Sequence, residues 1–315
     1  TKPQPDLVIW PETSFPFPYS EVSPDFPPHK LNTPEFKAWR DYGIEMQTKL
    51  TEFAKSSNNV THLLGMNAYY LTAEGRSEQY NKALLLTPRG SIEAKYDKIH
   101  RVPFGEYLPL KKWMPFLAAL TPYTGDFGIQ AGEKHTRFQS GKYHFGVLIC
   151  YEDTDPFLAR RYVTHADEGP PVDFLVNMSN DGWFDGSSEH EEHLAVSRFR
   201  AIECRRAMVR AVNMGVSAVI DGNGRIQRPR VIPGPTPTLW AITEEMQGIP
   251  TLPASEWHGF KQKAGVILAS VPLDSRTSVY AMTGDWLPIA CWAVLLASGA
   301  WALRQRRRAA AIVAG

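Results

Sequence analysis

The stretch VLICYED, residues 147–153, ends an apolar run on Cys150 and follows it at once with Tyr151, Glu152 and Asp153. Free cysteine is among the most buried residue types, so a packed core thiol is the ordinary expectation for such a position. Two other residues argue for chemistry. Glu12 follows the apolar run DLVIWP, and Lys98 stands in KYDKIHRVPFGEYLP, so each lies just past or beside a strand-like segment, as Cys150 does. A thiol near neutral pH is only a few per cent thiolate, so a cysteine nucleophile needs a base or a nearby cation. A carboxylate can take the proton, and a lysine ammonium can hold both the thiolate and the oxyanion that forms when a carbonyl is attacked. The three residues are too far apart in the chain for any local motif, so only a fold can unite them.

The elements that must do so alternate. Apolar runs with strand character recur at 6–10, 62–70, 82–87, 145–150, 173–179 and 207–221, rich in Val, Ile and aromatics and bounded by Gly, Pro, Asn or Asp. Between them lie helical patterns. One begins at Thr33, read as a cap, with Pro34 and Glu35 in its first turn. A second, EEHLAVSRFRAIECRRA, places His193, Leu194, Ser197, Ala201 and Cys204 near one stripe. Strands alternating with helices predict an α/β layered fold. The proline-rich segments 14–34 and 228–239 are expected to be surface loops. With 315 residues and 43% hydrophobic content the chain holds one large domain or two ordinary ones. The near balance of 34 basic and 33 acidic residues gives no global signature of a nucleic-acid partner. Three cysteines without a CxxC pair argue against a disulfide framework and a cysteine-rich zinc site.

Both ends bear on location. The chain starts at Thr1, already close to an apolar run, and is expected to be a fragment whose upstream part is missing. From 286 to 303, WLPIACWAVLLASGAWAL carries eighteen residues without charge, followed by Arg304 and three further arginines at 306–308. Eighteen helical residues reach about 27 Å, near the roughly 30 Å of a bilayer core, and a tryptophan at the start and another near the end suit an interfacial belt. The competing expectation is a buried C-terminal helix of a soluble protein. Basic residues favour the cytoplasmic side, which would put everything before Trp286 on the opposite face, the periplasm in a bacterium.

The motifs WPE with Glu12, YDK with Lys98 and CYED with Cys150 resemble the Glu-Lys-Cys triad of the nitrilase, or carbon-nitrogen hydrolase, superfamily. Within it the chain is most similar to the apolipoprotein N-acyltransferase branch. The segments LVIWPET, YNKALLL, YDKIHRVPFGEYLPL, GVLICYED, NMSNDGWF, RFRAIECRRAMVRAVNMGVSAVIDGNGRI and TSVYAMTGDW carry the resemblance; FGEYLP and the span after TGDW are the discriminating pieces. It implies a nitrilase-like four-layer αββα sandwich over 1–283, truncated at its N-terminus, then one transmembrane helix over 284–304 and a short basic tail over 305–315. It implies that Glu12 is the general base, Lys98 the oxyanion and thiolate partner and Cys150 the nucleophile, with Glu106, Tyr151 and Glu152 in support. Glu106 is expected beside the triad, orienting Lys98 or the attacked carbonyl. For Glu152 a salt bridge behind the nucleophile and a catalytic role both stand. Asn81, Trp183 and Phe184 are expected on the substrate side, the last two as part of a loop shaping an acyl pocket, although Trp183, Phe184 and Phe199 could equally be core. Lys82 and Met214 depart from the branch's usual residues at their positions without touching the triad.

The activity implied is transfer of an acyl chain from a phospholipid, through a Cys150 thioester, to the amine of a diacylglyceryl-cysteine at the start of an apolipoprotein. No cofactor or metal is implied. The partners are a phosphatidylethanolamine-like acyl donor, the apolipoprotein acceptor and the membrane itself, with no nucleic acid. The location is the bacterial inner membrane, with several spans in the intact protein and a periplasmic catalytic domain. The alternatives are a membrane-anchored amidase of the same superfamily, with water resolving the acyl-enzyme, and a catalytically silent binding domain. Other signals are weaker. HEEH at 190–193 spaces its histidines three apart, against the four of HExxH. GNGR at 222–225 fits a hairpin turn. Cys204 is expected to be packed mid-helix, and Cys291 to face lipid or another span.

Overall fold

The computed structural model describes residues 4–110, 113, 114, 116, 128–164, 168–232, 238–242 and 248–314. In chain order the strands of a first sheet are β1 (Leu7–Ile9), β2 (Tyr19–Val22), β3 (Thr61–Leu71), β4 (Ser77–Leu86) and β5 (Ile92–Asp97). Helix α1 (Lys37–Ser56) lies between β2 and β3. The long β3 pairs antiparallel with β4 and takes both β1 and β2 in parallel, β1 against Thr61 to Leu63 and β2 against Ala68 to Leu71. A second sheet is built from β6 (Arg137–Ser140), β7 (Tyr143–Ile149), β8 (Phe174–Asn180), β9 (Ala207–Asn213) and β10 (Ala218–Ile220), in the order β10-β9-β8-β7-β6. Its parallel centre, β7 to β9, is crossed over by α2 (Pro156–Thr164) and α3 (Glu189–Cys204). The strands β11 (Arg230–Ile232), β12 (Thr238–Ile242) and β13 (Gly265–Ala269) form a small third sheet, and α4 (Val279–Thr283) leads into α5 (Trp286–Ala314).

Side-chain alternation with period two sorts these elements into layers. In β7, Phe145, Val147 and Ile149 face the first sheet and meet Leu63, Leu85 and Tyr96, while Leu148 faces the other way. Phe145 stacks between Phe138 and Phe174 with ring centroids 5.3 and 5.1 Å away. On the outer face of the first sheet, Met46, Leu50 and Ala54 of α1 cover Leu64, Met66, Leu84 and Leu86. On the outer face of the second, Leu158, Ala159 and Tyr162 of α2 and Leu194, Ala201 and Cys204 of α3 cover Leu148, Leu175 and Met208. The order is helix, sheet, sheet, helix, which is the four-layer sandwich the sequence resemblance implies.

Local differences have local causes. The first long helix starts at Lys37 rather than after Thr33: the Thr33 hydroxyl donates to the Lys30 carbonyl and caps nothing further on. The segment 14–34 is not all loop, because Tyr19 to Val22 add a parallel strand to the edge of β3 while Phe15 and Phe26 are buried. Within 228–239, Arg230 to Ile232 form β11. The GNGR segment closes a hairpin, with Gly224 N–H on the Asp221 carbonyl and Asp221 N–H on that of Arg225. In the α3 stripe His193, Leu194, Ser197, Ala201 and Cys204 are all buried.

From Trp286 to Arg306, 21 residues of α5 have a mean hydropathy of 1.7 and none of that apolar window is buried. At 1.5 Å per residue this is about 32 Å, long enough to cross a bilayer. Among the described residues nothing covers it as a core helix would be covered. The approach to α5 is held by α2: the Arg160 guanidinium donates to the carbonyls of Tyr280, Ala281 and Met282 at 3.3, 2.9 and 3.4 Å.

Candidate active site

Cys150 is the first residue after β7, and the chain turns there with φ 51°, a left-handed conformation uncommon for a residue with a side chain. Two polar groups hold the turn. The Asn177 amide on β8 donates to the carbonyls of Leu148 and Cys150 at 3.2 and 3.1 Å. Fully buried Glu152 reaches back: its Oε2 accepts from Ile149 N–H at 2.6 Å, and its Oε1 accepts from Tyr96 Oη, Ile99 N–H and His100 N–H at 2.7, 2.6 and 3.0 Å. Burial pushes Glu152 up to about 7, against the pull of those donors and of the Lys98 charge. Among the described residues it makes no ion pair. The salt bridge offered for it by the sequence is therefore replaced by hydrogen bonds that tie the Cys150 turn to the chain following β5.

Glu12 comes from the first sheet. Gly65 on β3 lets the Pro11–Glu12 segment cross this closely, since a Cβ there would lie 2.1 Å from the Pro11 carbonyl oxygen and 2.9 Å from Glu12 Cα. The nearly buried Glu12 carboxylate accepts from Asn81 Nδ2 at 2.6 Å and Lys98 Nζ at 3.3 Å through Oε1, and from Asn180 N–H at 2.9 Å through Oε2. Lys98 follows β5 directly and is fully buried; its ammonium also donates to Glu106 Oε1 at 2.6 Å. Glu106 is fixed in turn by Val102 N–H on its Oε2 at 2.7 Å. The structure thus brings Glu12, Lys98, Cys150, Glu106, Glu152 and Asn81 to one end of the two sheets. Asn81 faces Glu12 rather than open space. Lys82 turns away to pair with Asp97 at 2.7 Å.

The electrostatics suit proton transfer more than a standing thiolate. Burial, chiefly, and then the Glu12 charge push the Cys150 thiol far above its ordinary value, while the Lys98 charge pulls it back. Burial alone would lower Lys98, but the Glu12 and Glu106 carboxylates outweigh it and hold the ammonium above its usual range. A cysteine in such a place gives up its proton as it attacks, to an adjacent carboxylate, beside a cation placed for the developing oxyanion.

The remaining candidates are more exposed. Tyr151 is 45% exposed next to Cys150. Trp183 and Phe184 sit in a helical turn that follows β8 directly, 76% and 38% exposed, and Phe199 is also exposed, so none of the three is core. Cys204 is packed and Cys291 exposed. Among the described residues no group of His, Cys, Asp and Glu has the arrangement of a metal site.

The profile of the carbon-nitrogen hydrolase family matches residues 2–230, which contain Glu12, Asn81, Lys98, Glu106, Cys150 and Glu152. The chain belongs to the carbon-nitrogen hydrolase family. Among curated proteins the chain is 35% identical over 222 residues to the apolipoprotein N-acyltransferase of Geobacter metallireducens, covering 70% of this chain and 37% of that protein. It is 32% identical over 231 residues to that of Bdellovibrio bacteriovorus, covering 71% and 38%. With apolipoprotein N-acyltransferase 2 of Treponema denticola the match extends to 93% of this chain and 47% of the relative, at 29% identity. The chain spans less than half the length of these relatives.

Several residues around the site carry no local signature in the sequence. Beneath the Cys150 turn, His193 lies between Asp153 and Asp181, with Arg210 and Ser197 closing the cluster. Asp181 sits over Gly215, where a Cβ would lie 2.2 Å from its Oδ2. The signal that could have found them is the burial of charged residue types: His193 and Ser197 lie on the apolar stripe of α3, and Arg210 interrupts an apolar strand.

Proposed function

We propose that this chain carries the catalytic part of an apolipoprotein N-acyltransferase. The reading is carried by one combination: a buried Glu12–Lys98–Glu106 cluster beside the Cys150 turn, in the same chain as an uncovered apolar helix of membrane length. The names of the relatives support it. Both substrates it calls for are anchored in a bilayer, which gives a physical reason for tethering the site there.

In this reading Glu12 accepts the Cys150 proton while Sγ attacks the sn-1 ester carbonyl of a phosphatidylethanolamine-like donor. The Lys98 ammonium and backbone N–H groups stabilise the tetrahedral oxyanion. Collapse breaks the ester C–O bond, and the proton on Glu12 passes to the departing lysophospholipid hydroxyl. The thioester is then attacked by the free α-amine of a diacylglyceryl-cysteine, whose proton goes to Glu12. Collapse breaks the C–S bond, Glu12 returns its proton to the departing sulfur to restore the thiol, and the amide leaves. Glu106 fixes Lys98, Asn81 orients Glu12, and Trp183, Phe184 and Tyr151 border the acyl chain. The site calls on no cofactor or metal. By the distribution of basic residues, α5 spans the inner membrane with Arg304 and Arg306 on the cytoplasmic side and the catalytic domain, residues 1–283, in the periplasm.

The test is a transfer assay on the membrane-embedded protein with a donor labelled on its sn-1 chain and a diacylglyceryl peptide as acceptor. Label is expected on the peptide amine. Label released only as free fatty acid, with or without the peptide, would make the protein a hydrolase instead.

A further inference from the structure

The buried charge cluster behind Cys150 is not consumed by acyl transfer. His193 Nδ1 lies 2.9 Å from Asp181 Oδ1 and its Nε2 lies 3.0 Å from Asp153 Oδ1. An ionised carboxylate only accepts hydrogen bonds, so both ring nitrogens donate and the ring is an imidazolium. Burial and the Arg210 charge oppose that proton, but the two aspartates outweigh them and bring His193 to about 9. Arg210 closes the other side, 3.1 Å from Asp153 Oδ2 and 3.5 Å from Asp181 Oδ2. Ser197 bridges Asp153 and Arg210, and Glu189 and His190, in the first turn of α3, are the other ionisable groups facing this end. Two cations thus face two anions inside the protein, and the cluster is neutral as a whole.

This cluster is wired to the nucleophile twice. Asp153 belongs to the helical turn that starts at Cys150. Asp181 accepts from the Ser179 hydroxyl at 2.6 Å, just after the strand that pairs with the one ending at Cys150. The Asp181 charge opposes formation of the thiolate. Asn180, between Ser179 and Asp181, gives its N–H to Glu12. We infer that His193 is a positioning residue for Cys150: its positive charge cancels that of Asp181, which would otherwise oppose the thiolate beside the turn. The inference rests on Cys150 being the nucleophile of the proposed reaction.

The experiment measures alkylation of Cys150 by iodoacetamide across pH 6–10 in the membrane-embedded protein, resolved by peptide mass spectrometry from Cys204 and Cys291. His193→Gln leaves one net negative charge in the cluster. Its Cys150 alkylation is expected to fall about tenfold at fixed pH, equivalent to raising the thiol by about one unit. The double variant H193Q/D181N restores neutrality and is expected to recover most of the rate, a rescue that a purely architectural role would not give. Two results overturn the inference: a His193→Gln profile that superimposes on the wild type, or a double variant as slow as the single one. Should His193→Gln fail to fold, Asp181→Asn decides the matter: removing that anion while His193 and Arg210 remain is expected to speed alkylation severalfold, and an unchanged or slower rate overturns the inference. Acyl loading from phospholipid is followed in parallel. If the wild type is alkylated but never acylated, the acyl-transfer reading fails while the alkylation profiles still decide on His193.

Discussion

Replacing Glu152 by glutamine changes one oxygen to an NH2 group and removes one charge, with almost no change of shape. Every group that Glu152 meets is a donor: Ile149 N–H on one oxygen, and Tyr96 Oη, Ile99 N–H and His100 N–H on the other. A glutamine satisfies them best with its carbonyl toward the three and its NH2 toward Ile149. That places two donors 2.6 Å apart where a hydrogen bond had been, in a fully buried site. Each buried donor left without an acceptor costs about 1–3 kcal/mol, so the pair together costs roughly 2–6 kcal/mol. For a domain of this size about 1 kcal/mol corresponds to roughly 2–4 °C, so Tm falls by about 4 °C at least. The strain falls on Ile149, whose carbonyl carbon begins the φ 51° turn at Cys150. Glu152→Gln is therefore expected to lose stability and Cys150 acylation together, read by thermal unfolding in detergent and by intact mass after incubation with phospholipid. A variant that melts within a degree of wild type and acylates normally would refute this account of Glu152. Loss of acylation with Tm unchanged would return it to a directly chemical role.

Glu12→Gln removes the proton acceptor while keeping the bonds from Asn81 and Asn180 possible; thioester formation should slow by about 10²–10⁴-fold, and normal loading would exclude Glu12 as the base. Glu106→Ala leaves Lys98 with a single carboxylate and draws it toward Glu12, so the rate should drop sharply in a protein that still unfolds cooperatively. Unaltered turnover in that variant would contradict the role given to Glu106. The pH dependence of stability follows from His193, whose folded value of about 9 lies above its ordinary 6.5. Its contribution is complete below about pH 6.5 and is lost as pH rises through about 9, so Tm should decline over that interval. In His193→Gln this decline should be missing, and an identical decline in the variant would assign it to another group.

The layers were legible in the sequence because short apolar bursts bounded by turn residues have few other uses, and Glu12, Lys98 and Cys150 were legible because each closes such a burst. Glu152 and Asp153 were visible only as neighbours of Cys150. Their partners, Ile99 and His100 for the one and His193 and Arg210 for the other, lie on segments whose closeness is set by the packing of two sheets and a helix. Gly65 and Gly215 were silent for the same reason, since what they admit is a backbone or carboxylate from elsewhere in the chain. The start of α1 was misplaced because Thr33 and Pro34 form a helix-start signature that the preceding turn at Lys30 absorbs. The edge strand Tyr19 to Val22 was hidden among prolines, which an edge position tolerates.

The most direct test of the central claim is the intact mass of the membrane-embedded protein after incubation with phospholipid, with Cys150→Ala alongside. The account predicts an acyl-sized, hydroxylamine-labile adduct on Cys150 that is absent from the variant and disappears when a diacylglyceryl peptide is added. An adduct that persists in Cys150→Ala, or a wild-type protein that acylates the peptide without ever carrying one, would contradict it.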